Sequence, residues 1–367
     1  MQQILANPTA QGTHLPSPAH SDSGPHRTWD APSPLRFWHL ASLDAPTVAV
    51  VWCLGFAWTA HVRLPAWSPL LLALVAWTVY IGDRLLDAHA GLQTPPLHHL
   101  QERHHFHWRH RRIFAPLAAA SAVIAAWMVL SLLPPRALKP DSVVAIATLA
   151  YFSGVHSRMR LPSHLTAFLS REFLVGTLFT AGCILPVWCR LPVSQSPPSA
   201  PHMLMIPMAF FAALAWLNCR AIGHWESESH GPTADRFASL KGTGFSPTTG
   251  QTKSAGALAH EGFLPCVDRE NPTFAGVSFV SAGIVPSPSR VFQIACLLAL
   301  TGSLASVALA AGQPRSAAML AAGALSALLL AGLDRLRPRL TPLLLRTAAD
   351  LVLLTPIVLL PFALRLG

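Results

Sequence analysis

The sequence predicts an all-α, polytopic membrane protein, with about nine transmembrane helices in a bundle around a central cavity. Hydrophobic residues make up 52% of the 367 positions, and charged residues make up only 11%. An average soluble domain is about a quarter charged. The apolar residues are also gathered into runs that approach the roughly 20 residues needed to cross a bilayer. These observations predict helices in contact with membrane lipids.

The basic residues of the chain give it a formal net charge of +10. A nucleic-acid-binding surface gathers such residues into one patch, often with aromatic residues among them. Here the basic residues are scattered between the apolar runs. We therefore expect no nucleic-acid partner and attribute these charges to the edges of the membrane.

The first third of the chain contains a polar tail and three apolar runs. Residues 1–44 are rich in Pro, Ser and His and lack the apolar core of a secretory signal. We expect this segment to be a disordered cytoplasmic tail, followed by a transmembrane domain of residues 45–365. The first three runs have the length of membrane helices. They cover residues 45–62, 68–86 and 113–133.

The other six runs form two groups separated by a polar loop. Residues 229–288 are rich in Gly, Ser, Thr and Pro and show no sustained helical period. This composition predicts a flexible cytoplasmic loop, with a lid as the alternative. The predicted helices before and after the loop cover residues 142–156, 166–187, 203–222, 291–312, 316–333 and 343–363.

The distribution of basic residues predicts the orientation of the chain. If nine helices cross the membrane and the N-terminus is cytoplasmic, eighteen Arg and Lys residues lie in or beside inside segments and six in outside segments. This bias agrees with the positive-inside rule. We therefore expect a multi-pass protein of the inner (cytoplasmic) membrane with a cytoplasmic N-terminus.

Two carboxylates stand at the end of the second predicted helix, in the sequence VYIGDRLLDAHAG. Asp83 and Asp87 are four residues apart, so a helix places them on nearly the same face, with Tyr80 about one turn earlier. Proteins commonly hold Mg²⁺ with one or two carboxylates, together with substrate phosphates and water. The pair is therefore a candidate magnesium site. The alternative is a helix end that has reached water, with Arg84 paired to a neighbouring acid.

The sixth predicted helix offers a second set of oxygen ligands at the same face of the membrane. Its end reads AALAWLNCRAIGHWESESH and contains Asn218, Glu226 and Glu228. Carboxylates this close to a bilayer usually face a bundle interior or a polar cavity. All three residues are candidates for substrate binding, and Asn218 and Glu226 are also candidate metal ligands. A solvated helix end is the alternative.

In these features the chain resembles the UbiA superfamily of intramembrane prenyltransferases. Nine helices, a cytoplasmic N-terminus, an aspartate motif ending helix two and a polar motif ending helix six are typical of that family. The segment LAYFSGVHSRMRLPSHLTAFLSREFLVGTLFTAG is also similar, since the family has a Tyr, basic residues and a Gly-containing helix start between helices four and five. The resemblance covers about residues 40–365, apart from the 229–288 loop.

The chain departs from the family at both motifs. The family's first motif is approximately NDxxDxxxD, and alignment on Asp83 and Asp87 places Val79 and Tyr80 at its first two positions. The family's second motif is usually built of aspartates, whereas here an asparagine stands first and glutamates follow. These differences leave a second hypothesis open: a non-catalytic or repurposed UbiA-like protein that serves in membrane binding or as a scaffold.

The resemblance implies a transferase of alkyl or aryl groups other than methyl. It would move a prenyl group from a prenyl diphosphate to a lipophilic or aromatic acceptor within the membrane, with Mg²⁺ bound by Asp83 and Asp87. Arg158 and Arg160, between helices four and five, could neutralise the diphosphate. Positive-inside charge alone also explains these two arginines. These four residues are the candidate catalytic residues.

Six histidines are clustered after the second predicted helix, in the histidine run HHLQERHHFHWRHRR. Their density raises a third hypothesis, a histidine-metal membrane oxidoreductase, although such centres need histidines on several helices and the others here are isolated. The run could instead be a basic amphipathic helix at the membrane surface. It could also cap the active site as the corresponding segment does in the UbiA family, with His104, His107 or Arg103 at the diphosphate.

A charged pair interrupts the last predicted helix. Arg346 and Asp350 lie four residues apart in an otherwise apolar run. We interpret them as an internal ion pair, because each charge then compensates the other inside the membrane.

Overall fold

The computed structural model describes residues 33–93, 102–156, 171–191, 199–229 and 289–361, and its elements in these ranges are helices. Two short 3-10 helices, Arg337–Arg339 and Thr355–Leu359, follow α10 and α11. The α-helices are α1 (Ser33–Leu40), α2 (Asp44–Thr59), α3 (Trp67–Gln93), α4 (Glu102–Arg109), α5 (Arg111–Leu132), α6 (Pro135–His156), α7 (Arg171–Trp188), α8 (Ser199–Ser229), α9 (Arg290–Leu309), α10 (Pro314–Leu336) and α11 (Pro342–Val352).

Within the described ranges, six helical segments are long and apolar enough to cross a membrane. Together, α1 and α2 also pass this test as one span bent by 88°, which would make seven. The prediction of an all-helical, multi-pass membrane protein is therefore confirmed. Each of the nine apolar runs overlaps a helix, while nine crossings stay a prediction. The six segments are Trp67–Ala90, Arg111–Leu132, Met203–Glu228, Arg290–Leu309, Pro314–Arg339 and Pro342–Leu359.

The prediction that residues 1–44 form a disordered tail is wrong for residues 33–44. Residues 33–40 form α1, and α2 begins at residue 44. The turn between these helices contains Ser42, whose φ of 55° lies in the left-handed region. The sharp bend leaves Phe37 65% exposed but buries His39, which is 2% exposed. The rest of the tail, and the loop beyond Ser229, lie outside the described residues.

Arginines and tryptophans meet at one end of the bundle. Arg315, at the start of α10, donates a hydrogen bond to the carbonyl oxygen of Trp58 in α2 across 2.9 Å. Arg190, after α7, lies 5.0 Å from the ring centroid of Trp67 at the start of α3. Such contacts are typical of a membrane interface. We call this the far end, and the opposite end, where α1 and α4 lie, the site end.

The helix α8 packs against α2 and α11. Its buried Phe211 stacks on Trp52 of α2 with ring centroids 3.9 Å apart, and Trp52 donates its Nε1–H to the carbonyl oxygen of Leu353 across 2.8 Å. The helices α7 and α8 approach so closely that a Cβ at Gly176 would lie 2.8 Å from the backbone nitrogen of Trp216. This packing brings α2 and the end of α11 to one core with α8.

Candidate functional site

Three ionisable side chains meet inside the bundle at the site end. Nδ1 of His39 in α1 lies 2.8 Å from Oδ2 of Asp44, the first residue of α2. The same nitrogen lies 3.7 Å from Oδ2 of Asp350 in α11. The side chains of His39 and Asp44 are each 1% exposed, and that of Asp350 is 15% exposed. We call these three residues the His–Asp cluster.

Each carboxylate of the His–Asp cluster also accepts a hydrogen bond from an amide. Oδ1 of Asp44 accepts from the backbone N–H of Ala45 across 2.9 Å, at a helix start where unpaired N–H groups favour negative charge. Oδ1 of Asp350 accepts from Nδ2 of the buried Asn218 in α8 across 3.3 Å. Residues of α1, α2, α8 and α11 therefore build one polar centre.

Arg84 of α3 brings a positive charge to the same region. It is only 5% exposed, and its Cζ lies 5.2 Å from the ring centroid of Tyr80, about one turn earlier. Its charge acts on the carboxylates of both Asp44 and Asp350. Nε of Arg84 has no hydrogen-bond partner, so the guanidinium retains a donor for a ligand.

The short helix α4 covers this region with a buried histidine. His107 is 0% exposed, and its Nε2 lies 3.4 Å from Oγ of Ser42 in the turn between α1 and α2. Burial lowers the pKa of His107 to about 4; the charge of Arg84 acts in the same direction and that of Asp44 opposes it. The imidazole is therefore neutral at neutral pH and can hydrogen-bond without adding charge.

A cavity of about 270 Å³ lies about one turn along α11 from the His–Asp cluster. Two ion pairs line it, Arg346 with Glu226 and Arg337 with Glu228. Arg346, which the sequence pairs with Asp350, thus has a partner on α8. The cavity combines charged groups with an apolar wall, an arrangement that suits an amphiphilic ligand. The wall consists of Ile222, Trp225, Pro338, Leu340, Pro342 and Leu345.

The structure brings several predicted site residues to this region. Asn218 contacts the His–Asp cluster directly, and Tyr80 lies beneath the guanidinium of Arg84. Glu226 and Glu228 line the adjacent cavity. Helices two and six of the sequence prediction therefore do contribute polar side chains to the site end, together with the last helix.

The remaining predicted residues either lie on α3 outside the His–Asp cluster or fall outside the described residues. Asp83 and Asp87 lie on α3 near the buried arginine, are half-buried, and both interact with other groups. Their role as magnesium ligands stays a prediction. Arg158 and Arg160 lie outside the described residues, as does the side chain of His104.

Sequence reasoning missed all three members of the His–Asp cluster. The predicted tail includes His39 and Asp44, because both lie before or at the start of the first long apolar run. The predicted partner of Asp350 is Arg346 of its own helix. Its position offered a signal, since a carboxylate within a membrane helix marks a functional site by default. No local pattern marks His39, because its partner Asp350 in α11 lies far away in the sequence.

In its described part, the chain is a helical membrane protein with a buried, charged centre at one end of its bundle. No family model, curated protein or solved structure matches the chain. Ionisable groups inside a membrane bundle are costly, and they usually serve substrate binding, ion binding or proton transfer. The chemistry of the site is therefore the guide to function.

Proposed function

We propose that the chain is an intramembrane prenyltransferase of the UbiA type. In this proposal nine helices cross the inner membrane, and the N-terminus and the site end face the cytoplasm. A prenyl diphosphate donates its prenyl group to a lipophilic or aromatic acceptor, assisted by Mg²⁺. The observation that carries the proposal is Arg84, which is buried in an apolar bundle and retains an unpaired donor.

A buried guanidinium favours an anionic ligand. A cation inside a membrane bundle costs free energy and is normally paired. The carboxylates of Asp44 and Asp350 lie nearby, against His39 and the amide of Asn218. Nε of Arg84 has no hydrogen-bond partner. A diphosphate presents several oxygens to the fork of donors that a guanidinium offers. The site therefore suits the head group of a prenyl diphosphate.

The adjacent cavity suits the rest of such a substrate. Arg346 lines it and also repels Arg84 electrostatically, so an anion bound between these guanidinium groups would relieve the repulsion. The wall formed by Trp225 and Leu345 suits an isoprenoid chain. Because Arg346 is paired with Glu226, a bound diphosphate would compete with that carboxylate.

Mg²⁺ fits the donor chemistry of α3. Asp83 and Asp87 offer two carboxylates about one turn apart, a set that phosphate oxygens and water complete around a hard ion. When bound, the ion neutralises the diphosphate and improves it as a leaving group. Asn218 and Glu226, the ligands expected from the second motif, each contact a residue of α11. We assign the ion to α3 because its two carboxylates lie on nearly the same face of one helix.

Binding of prenyl diphosphates to the purified chain in lipid nanodiscs, with and without Mg²⁺, tests the proposal. Geranyl, farnesyl and geranylgeranyl diphosphates cover the chain lengths. We expect Mg²⁺-dependent binding to wild type, its loss in Asp83→Asn, and affinity weaker by about tenfold or more in Arg84→Gln. Asp141→Asn is the matched control, because Asp141 lies on α6 near Arg190 of the far end. It should bind like wild type.

A wild-type protein with no Mg²⁺-dependent affinity for any of the three diphosphates would contradict the transferase. The chain would then be a repurposed UbiA-like binding or scaffold protein. Val79 and Tyr80, which stand at the Asn and Asp positions that open the family motif, already favour this alternative. The histidine-metal oxidoreductase has less support. Among the described residues, the group of potential metal ligands is the His–Asp cluster, and it includes no residue of the histidine run.

A further inference from the structure

The His–Asp cluster brings three potential metal ligands from three helices to one point. One nitrogen of His39 and one oxygen each of Asp44 and Asp350 lie within 4.8 Å of one another. From Nδ1 of His39, the distances to the two carboxylate oxygens are 2.8 Å and 3.7 Å. This group contains neither aspartate of α3. None of its three members is assigned to Mg²⁺ in the proposed prenyl transfer.

These distances suit ligands of one small cation. Two ligand atoms that each lie about 2.1 Å from a shared ion are about 3.0 Å apart at adjacent octahedral positions and about 3.4 Å apart at tetrahedral positions. The observed distances of 2.8 Å and 3.7 Å lie on either side of both values. Small side-chain movements would therefore let one ion contact all three residues.

Several buried polar atoms at the cluster have no hydrogen-bond partner. They include Oδ2 of Asp44 and Nδ1 of His39, which approach each other without the geometry of a hydrogen bond. Oδ1 of Asn218 is also unpaired, although this side chain is 5% exposed and is held at the cluster by its bond to Asp350. An unpaired buried polar group costs about 1–3 kcal/mol. A cation between the three side chains would provide the missing partner for Oδ2 of Asp44 and for the imidazole nitrogen of His39.

The charge of the cluster also favours a cation. The carboxylates of Asp44, which is buried, and of Asp350, which is 15% exposed, lie near the guanidinium of Arg84. The other nearby guanidinium, that of Arg346, is paired with Glu226. With His39 neutral, as metal coordination requires, the three cluster residues and Arg84 sum to one negative charge in an apolar bundle. A divalent ion reverses the sign and stabilises both carboxylates in their charged form.

We propose that His39, Asp44 and Asp350 bind a divalent transition-metal ion, Zn²⁺ or Mn²⁺. One imidazole and two carboxylates suit these ions, whereas Ca²⁺ takes oxygen ligands. Asn218 orients Asp350 as a neighbouring hydrogen-bond donor. The ion ties α1 and α2 to α11, and so holds α1 in its bend across the site end.

Metal analysis of the purified full chain, with any affinity tag removed, tests this proposal. After treatment with a chelator and reloading with Zn²⁺ or Mn²⁺ alone, wild type should bind about one equivalent and unfold at a higher temperature than the stripped protein. His39→Gln and Asp44→Asn should each retain less than about a tenth of an equivalent.

Two variants at the far end are matched controls, because they remove the same chemical groups. Asp141→Asn neutralises a carboxylate near Arg190, and His61→Asn removes an exposed imidazole whose φ of 56° asparagine tolerates. Both should retain the wild-type metal content. Metal loss in the controls as well as in the cluster variants would overturn the assignment.

X-ray absorption at the zinc edge of wild type tests the ligands without any variant. We expect one imidazole nitrogen, with oxygen as the remaining ligands. Wild type that binds neither ion, an edge that shows sulfur or several imidazoles, or cluster variants that keep their metal would overturn the proposal. Diphosphate binding is measured separately with Asp83→Asn, so either proposal can fail while the other stands.

Discussion

Asn218 of α8 donates a hydrogen bond from Nδ2 to Oδ1 of Asp350 in α11, across 3.3 Å. Asn218 is 5% exposed, so the bond lies inside the bundle. It joins the sixth predicted helix to the last one at the carboxylate that also faces His39. Hydrogen bonds between membrane helices contribute only about 0.6–2 kcal/mol. Its larger effect is to fix the orientation of Asp350.

Replacement of this amide should weaken the site end. Asn218→Ala removes a donor from a buried carboxylate, and we expect a loss of about 1–2 kcal/mol in the free energy of unfolding. Unfolding in detergent, followed by tryptophan fluorescence, measures the change. Ser303→Ala is the control, since its hydroxyl bonds to the carbonyl oxygen of Ala299 within its own helix. Equal losses in both variants would contradict a special role for Asn218.

Replacement of Gly176 should destabilise the contact between α7 and α8. In Gly176→Ala the new Cβ would lie 2.8 Å from the backbone nitrogen of Trp216, which no side-chain rotation can relieve. We expect a loss of about 1–3 kcal/mol in stability. Gly182→Ala on the same helix meets Leu72 at an ordinary 4.0 Å and should be neutral or stabilising, because alanine favours helix. Thermal unfolding in one detergent compares the two, and a less stable Gly182→Ala would count against this packing.

We expect the ion pair between Arg346 and Glu226 to contribute a coupling energy to the stability of the fold. Glu226→Gln leaves a guanidinium without its carboxylate, and Arg346→Gln does the reverse. We expect the double variant to be more stable than the sum of the single losses predicts, by about 0.5–3 kcal/mol. Chemical unfolding of the four proteins gives the value. Additive losses would show that the pair contributes nothing.

His107 should make stability depend on pH. Its pKa is about 4 in the folded protein, below the roughly 6.5 of an unperturbed histidine. Because the folded-state pKa is depressed, protonation favours unfolding: the contribution is complete above about pH 6.5 and is lost as the pH falls towards about 4. The unfolding temperature of wild type should therefore fall more steeply over this range than that of His107→Gln. Parallel curves would contradict the depressed pKa.

Reporter fusions test the proposed topology. A reporter inserted near residue 97 and another near residue 260 should both report the cytoplasmic side, because both follow an even number of predicted helices. Insertions near residues 63 and 312 should report the opposite side. Opposite locations for the first two insertions would end the nine-helix arrangement with a cytoplasmic N-terminus.

The helices and their membrane character were predictable, because both depend on local properties. Run length and hydropathy are read directly from neighbouring residues, and each apolar run overlaps a helix. The site was predictable only where a polar residue interrupts such a run near its end, as Asn218 does, or closely follows it, as Glu226 does. The short helix α1 escaped prediction because its eight residues are too few to show a sustained apolar period.

By itself, the sequence determined that this is an all-helical, multi-pass membrane protein, because burial in lipid imposes length and hydropathy on each segment separately. Only the tertiary structure decided which polar groups meet. His39 and Asp350 lie at opposite ends of the described chain, and their contact depends on the bend before α2 and on the packing of α11. No spacing along one helix encodes the partner that another helix presents, since that choice depends on how complete helix surfaces fit together.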